Sequence, residues 1–223
     1  MVFVGHYGVA FMARAKAKEI PLWQLFIAVQ LVDVFWALFV LLGIERARIV
    51  PGITKSMPLD LYYMPYTHSL IAAFVWSALA VLAFRLIRPS GTRVALLVLG
   101  LAVSSHWVLD LVVHRPDLPI WDDMDKVGLG LWNYRLAAFL VEGSLLVAGL
   151  VLYRRSSAAA SPVGKYRAAI FVAVLLITQA FVVVVQPLPS TTFAALLFLA
   201  SYLGLAATAR WVESTRQAKT LTA

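Results

Sequence analysis

The chain has 223 residues, of which 62% are apolar and 13% charged, with a net charge of +8 and no cysteine. A soluble domain is about 45–50% apolar and about 25% charged, so this composition excludes disorder, a fibrous repeat and an ordinary soluble enzyme. It predicts a polytopic membrane protein in which residues 1–223 form a single integral membrane domain. We expect the lipid bilayer, and not nucleic acid, to be its partner, because Lys and Arg gather in the cytoplasmic loops of such proteins.

Seven apolar runs follow one another along the chain. Residues 2–13 form the first run, which is too short to span a bilayer and predicts an N-terminal half-helix. The other six runs have the length of a spanning helix and cover residues 21–44, 67–87, 93–114, 135–153, 167–186 and 191–211. The predicted fold class is therefore all-α, a transmembrane helical bundle with about six spans.

The basic residues predict the orientation of these spans. Thirteen of the 19 Lys and Arg residues fall in the N-terminal basic loop at residues 14–18, in the second and fourth connections and near the C-terminus. The positive-inside rule therefore places this loop and the C-terminus in the cytoplasm. The longer connections, residues 45–66 and 115–134, then face outward, and we expect residues 115–134 to act as a lid.

Ionisable side chains inside spanning helices are costly and are therefore functional candidates. Six of them fall in four predicted spans: Asp33, His68, His106, Asp110, His114 and Glu142. His106, Asp110 and His114 are spaced at i, i+4 and i+8, so they share one helix face. The spans place all six groups near one depth in the outer half of the membrane. His6 reaches toward Asp33 if the half-helix dips back into the bilayer.

This pattern predicts a metal site in the part of the chain covering residues 1–153, with two further spans at residues 167–211. Imidazole and carboxylate ligands without sulfur suit a divalent ion, with zinc favoured and manganese or iron as alternatives. The predicted ligands are His6, Asp33, His68, His106, Asp110, His114 and Glu142. No strong nucleophile motif is present, so the expected attacking group is water activated by the metal. Asp33 or Glu142 would act as the catalytic base, and Asp33 is preferred because it is the more isolated.

Four short motifs in order resemble a known family. They are Gly5 with His6, Asp33 in a Gln-Leu-Val-Asp run, His68 in Tyr-Thr-His-Ser-Leu, and Ser105-His106-x-x-x-Asp110. The resemblance is to the predicted membrane-bound, metal-dependent hydrolases of the bacterial inner membrane (YdjM-like). The His/Asp pattern of that family is similar to that of zinc-dependent phospholipase C and the S1/P1 nucleases. One acid stands where relatives often have two, so one or two ions are expected here.

The resemblance implies a hydrolase that acts from the extracytoplasmic side on a phosphoester or a lipid-related substrate. It also implies that His6, Asp33, His68, His106 and Asp110 are ligands, with His114 and Glu142 as further candidates. Three alternatives stay open on the residues alone. Buried His and carboxylate groups also form proton relays in ion-coupled transporters, facing histidines can hold a haem, and polar side chains can simply join helices.

Overall fold

The computed structural model describes residues 4–185 and 188–218, and nearly all of its regular structure is helical. The helices are α1 (Val4–Lys16), α2 (Leu22–Val29), α3 (Leu31–Leu41), α4 (Pro65–His68), α5 (Leu70–Ile87), α6 (Arg93–Val113), α7 (Arg135–Ser156), α8 (Gly164–Val185) and α9 (Thr191–Glu213). Helices α5 to α9 are each long and apolar enough to cross a membrane, and α2 with α3 makes a sixth candidate span if the bent pair is one span. The predicted all-α bundle is confirmed.

Two small antiparallel sheets complete the described structure. Strand β1 (Arg46–Ile49) pairs with β2 (Leu59–Tyr63), and β3 (Ser157–Ala159) pairs with β4 (Arg216–Ala218). The first sheet lies in the connection between α3 and α4, and the second joins the end of α7 to the segment after α9.

The predicted span at residues 21–44 is not one straight helix. Helix α2 ends at Val29, α3 begins at Leu31, and the two axes meet at 54°. In a straight helix the Val29 carbonyl would face the amide of residue 33. At the bend this carbonyl accepts a hydrogen bond from Nδ1 of His106 at 2.7 Å. Irregular backbone is tolerated at membrane depth where protein groups satisfy it, which is the case here.

The predicted span at residues 67–87 is also interrupted. Ser69 is extended and separates the single turn of α4 from α5. Its hydroxyl accepts a hydrogen bond from the amide of Ala72 at 3.0 Å and so caps α5. His68 therefore projects from a separate helical turn that precedes α5.

Helix α1 is the predicted half-helix, and glycines hold it against α7. It covers Val4–Lys16, while residues 2 and 3 of the predicted run lie outside the described residues, as does residue 186 of the predicted fifth span. A Cβ added at Gly149 on α7 would lie 2.8 Å from the Cα of Gly8 on α1. Such close backbone approach is the usual way that helices associate in membranes.

Contacts between distant segments show two ends of the bundle. At one end, Glu213 of α9 forms an ion pair with Arg14 of α1 and accepts a hydrogen bond from the amide of Leu22 at 2.9 Å. At the other end, the hydroxyl of Thr191 donates to the carbonyl of Ala47 on β1 at 3.3 Å. The β1–β2 sheet and the histidine-rich end of α6 lie at this second end, which we call the site end.

Candidate metal centre

All four histidines and two of the predicted carboxylates meet in one buried cluster at the site end. Four helices supply them: His6 from α1, Asp33 from α3, His68 from α4, and His106 and Asp110 from α6, with His114 following directly after α6. The histidines are at most 4% exposed and Asp110 is 4% exposed, so the cluster is closed to bulk solvent. Helix α1 thus meets three other helices at this cluster.

Two overlapping groups in this cluster could hold a metal ion. One consists of His6, His106 and Asp110, and the other of Asp33, His68 and His106. In each group the three ligand atoms lie within 4.8 Å of one another. His106 belongs to both groups, because helices α1 and α3 approach it from different sides.

Asp110 is the centre of the cluster. Its Oδ1 lies 3.4 Å from Nε2 of His6, and its Oδ2 lies 3.1 Å from Nε2 of His106. The same Oδ2 lies 3.7 Å from Nε2 of His68 and 3.6 Å from Nε2 of His114. The predicted face shared by His106, Asp110 and His114 is therefore present, and all three side chains point into one space.

The outer ring nitrogens of two histidines are tethered to acceptors outside the cluster. Nδ1 of His106 donates to the carbonyl of Val29, and Nδ1 of His114 donates to Oδ1 of Asp117 at 2.9 Å. Asp117 also accepts from Nε of Arg115 at 3.0 Å. Both rings must then carry their proton on Nδ1, which leaves a lone pair on Nε2 in the neutral ring.

A longer relay fixes the ring of His68. The hydroxyl of Thr67 donates to Oε2 of Glu45 at 2.6 Å, so its oxygen accepts from Nδ1 of His68 at 2.7 Å. Oε1 of Glu45 accepts from the amides of Tyr66 and Thr67 at 2.8 and 2.9 Å. Burial raises the pKa of the Glu45 carboxyl, while these three donors act in the opposite direction and favour the ionised form.

These tethers make the cluster a set of facing acceptors. In the neutral rings, the Nε2 lone pairs of His68 and His106 face the Asp33 and Asp110 carboxylates, and facing acceptors in a buried space repel unless a proton or a metal ion lies between them. A cation between them removes that repulsion. Histidines that bind metals nearly always donate their other ring N–H to a carboxylate or a carbonyl, as these three do directly or through a hydroxyl. The buried His/Asp groups are thus suited to a metal ion.

Asp33 is held by a residue that the sequence did not indicate. Its Oδ1 lies 3.2 Å from Nε2 of His68 and 3.6 Å from Nε2 of His106, while its Oδ2 accepts from the Tyr202 hydroxyl at 2.7 Å. Tyr202 lies on α9, so the site extends beyond residues 1–153. In the sequence, Tyr202 stands out only because it is a phenol in the middle of an apolar span.

Glu142 lies apart from both ligand groups. It is 6% exposed, and its Oε2 accepts from the amide of Gly5 at 3.4 Å, in the first turn of α1 and next to His6. The structure therefore places Glu142 beside α1, the helix that carries His6. Its predicted roles as metal ligand and base stay predictions.

A cavity of about 40 Å³ adjoins the cluster and has space for a few waters at most. The His/Asp cluster lines one side of the cavity, and apolar side chains line the rest. These are Trp36 from α3, Met57, Leu59 and Leu61 from the connection between α3 and α4, Trp132 from the connection between α6 and α7, and Phe198 from α9. The predicted cover at residues 115–134 thus contributes one wall residue, and the segment that carries β2 contributes three.

Charged pairs fasten these two covering segments to each other. Arg115 pairs with Asp60 on β2 as well as with Asp117, and Arg48 on β1 lies 2.7 Å from Oδ2 of Asp60. Because Asp117 also accepts a hydrogen bond from His114, these two segments and the His/Asp cluster belong to one hydrogen-bonded network. The i, i+3 spacing of His114 and Asp117 is the sequence signal that could have revealed this tether.

Comparison with known proteins finds no match. No protein-family model, no curated protein and no solved structure matches the chain. The resemblance to metal-dependent membrane hydrolases therefore stays a prediction, and the proposal below depends on the geometry of the cluster.

Proposed function

We propose that this protein is a membrane-embedded metal-dependent hydrolase that cleaves a phosphoester. The observation that carries the proposal is the set of Nδ1 tethers, which turn Nε2 of three histidines toward two carboxylates in a buried space. With neutral rings, acceptors converge on one buried space, and a metal ion there would satisfy all of them. Protonated rings would instead donate to the carboxylates without a metal, and the metal content of the purified protein distinguishes the two states.

The proposed ligands are His6, Asp33, His68, His106, Asp110 and His114. Nitrogen and oxygen donors without sulfur fit zinc, with manganese and iron as alternatives. A bound divalent ion would polarise a phosphoryl oxygen and lower the pKa of a bound water. The two ligand groups share Nε2 of His106, whose lone pair binds a single ion, so they provide for one ion, and a second ion would have to bind without His106.

Within this proposal, Asp33 is the preferred base. Its side chain is 17% exposed, against 6% for Asp110, so it faces the cavity where a substrate would enter. The Tyr202 hydroxyl holds Oδ2 of Asp33, which fixes the direction of the carboxylate. We place the site on the extracytoplasmic side of a bacterial inner membrane, because the opposite end of the bundle carries most of the basic residues.

Two features favour a hydrolase over the other functions that the sequence allows. Between the cluster and the basic end, the described core is filled with apolar side chains such as Phe11, Phe26 and Leu146, and a transporter needs a polar path there. A haem held by His68 and His114 would need the space between them, where Oδ2 of Asp110 lies 3.7 Å and 3.6 Å from their Nε2 atoms.

Elemental analysis of the protein purified in detergent without chelators tests the proposal. The wild type is compared with His106→Ala and Asp110→Asn, and Asp125→Asn serves as the matched control because Asp125 is an exposed acid with a φ of 51° that Asn tolerates. We expect close to stoichiometric metal in the wild type and the control, and its loss in the two site variants. The same four proteins are assayed on bis-p-nitrophenyl phosphate, whose hydrolysis should follow the metal content.

Two results would overturn the proposal. Folded site variants that retain all of their metal would show that it binds elsewhere. Wild-type protein without metal, and unable to take up zinc, manganese or iron on titration, would leave the cluster as a structural contact between helices.

A further inference from the structure

A second cavity, the side pocket, adjoins the metal centre where α1 lies between α6 and α7. It measures about 50 Å³, and its apolar walls are Leu109, Val112 and Val113 on α6 with Val141 and Leu145 on α7. His6 lines the side pocket as well as the cavity of the metal centre. The imidazole of His6 is therefore a partition between an apolar space and the proposed reaction site.

A groove lies along the seam of α1 and α6, farther along α1 than the side pocket, and no described residue lines both spaces. This seam groove measures about 410 Å³, with Val9, Met12 and Lys16 on one side and Val98, Leu101 and Val108 on the other. Val108 of the groove is followed in sequence by Leu109 of the side pocket. Because α1 leads away from the metal centre and α6 returns toward it, the two spaces follow each other along α1. Together they extend from His6 to Lys16, about 15 Å of helix.

Glu142 supplies an acceptor that no described residue uses. Its Oε2 accepts from the amide of Gly5, while its buried Oε1 has no hydrogen-bond partner in the described part of the chain. Glu142 lines the side pocket, where the other groups are almost all apolar. A buried carboxylate oxygen without a donor is rare, and water or a bound ligand would satisfy it. Because Glu142 lines the side pocket, a ligand in that pocket could donate to it.

We propose that the side pocket and the seam groove hold one acyl chain of a lipid whose headgroup reaches the metal centre. The inference builds on the proposed hydrolase and narrows its substrate to a membrane lipid. The space is apolar, faces the bilayer and is narrow enough at the side pocket for a single chain. Glu142 accepts a hydrogen bond from a hydroxyl or amide group at the head of that chain, close to His6.

A photoreactive lipid tests the inference. The protein is reconstituted in vesicles that contain a phosphatidylglycerol with a diazirine on its palmitoyl chain, and labelled residues are mapped by mass spectrometry. Val112→Trp fills the side pocket. Val94→Trp is the matched control, because Val94 lies on the same helix and is 58% exposed but lines neither space. The labelling is done on the metal-loaded protein and on the protein stripped of metal.

We expect labels on the residues of the side pocket and the seam groove in the wild type and in Val94→Trp, and loss of the side-pocket labels in Val112→Trp. The filled variant should also lose hydrolysis of the long-chain lipid but keep its metal and its activity on bis-p-nitrophenyl phosphate. Labels spread evenly over the lipid-facing helices, labels unchanged by Val112→Trp, or cross-links mainly to a second copy of the chain would each overturn the inference. If Val112→Trp does not fold, the distribution of labels on the wild-type protein alone tests the inference. Because labelling does not require metal, a protein that holds lipid but no metal would refute the hydrolase and leave the lipid site in place.

Discussion

The contact between Gly149 and Gly8 offers a way to move one proposed ligand without touching it. In Gly149→Ala, the added Cβ would lie 2.8 Å from the Cα of Gly8 and closer still to its carbonyl oxygen. Carbon atoms pack at about 3.5–4.0 Å, so α1 and α7 must separate by about 1 Å. Because α1 is the shorter helix and carries His6, we expect His6 to be displaced from Asp110 by a similar distance.

A displacement of this size is large for a metal site. Ligand distances in such sites are held to about 0.2 Å, so a shift of about 1 Å removes His6 as a ligand. We expect metal affinity to fall by at least about 10- to 100-fold. We also expect the unfolding free energy to fall by about 1–3 kcal/mol, the usual cost of an overpacked contact.

Metal affinity is measured by competition with a chromogenic chelator, and stability by thermal unfolding in detergent. Gly143→Ala is the matched control on the same helix, where the new Cβ would meet only the side-chain end of Leu176, 3.2 Å away on α8. It should cost little stability and leave metal affinity unchanged. Equal affinities of Gly149→Ala and Gly143→Ala would refute the argument that α1 must be seated closely on α7 for His6 to bind metal.

Four further substitutions separate the roles of groups around the site. Asp117→Ala and Thr67→Val each remove a ring tether and should lower metal affinity by about 10- to 100-fold, measured by the same chelator competition; an unchanged affinity would contradict the tether argument. Tyr202→Phe should lower the unfolding free energy by about 0.6–1.7 kcal/mol and lower metal affinity by about 10-fold, because the Asp33 carboxylate loses the group that fixes its direction. Chelator competition and thermal unfolding check this, and an unchanged affinity would mean that Tyr202 is not needed to hold Asp33 in place. Glu213→Gln weakens the contacts at the opposite end and should lower stability by about 1.5–3 kcal/mol without any change in metal affinity, which thermal unfolding and the chelator assay test together.

The regular parts of the fold follow from local sequence. Hydropathy alone finds the long helices α5 to α9, because each must be apolar around most of its circumference to lie in lipid. The spacing of His106, Asp110 and His114 is likewise sufficient to put them on one face, since helix geometry fixes that relation within a single element. These predictions need no knowledge of how the helices pack.

The irregular parts depend on contacts between distant segments. No glycine or proline marks the bend at Gln30, and its purpose becomes visible only when the Val29 carbonyl meets His106, 77 residues away. Tyr202 pairs with Asp33 across 169 residues, so neither residue alone predicts the contact. Hydrophobic periodicity reports burial but not the partner of a buried polar group, which is why these groups were missed.

Each departure from a straight span brings a polar group to the His/Asp cluster. The bend between α2 and α3 frees a carbonyl for His106, the break at Ser69 sets His68 on its own turn, and the half-helix α1 begins inside the bundle with His6 in its first turn. A carboxylate at the centre of a membrane helix costs about 2.5–3.5 kcal/mol, and this cluster contains two, each facing imidazole lone pairs. A bundle of straight helices joined by hydrogen bonds would not bear this free-energy cost. The irregular elements therefore bring together the side chains that the proposed ion would bind.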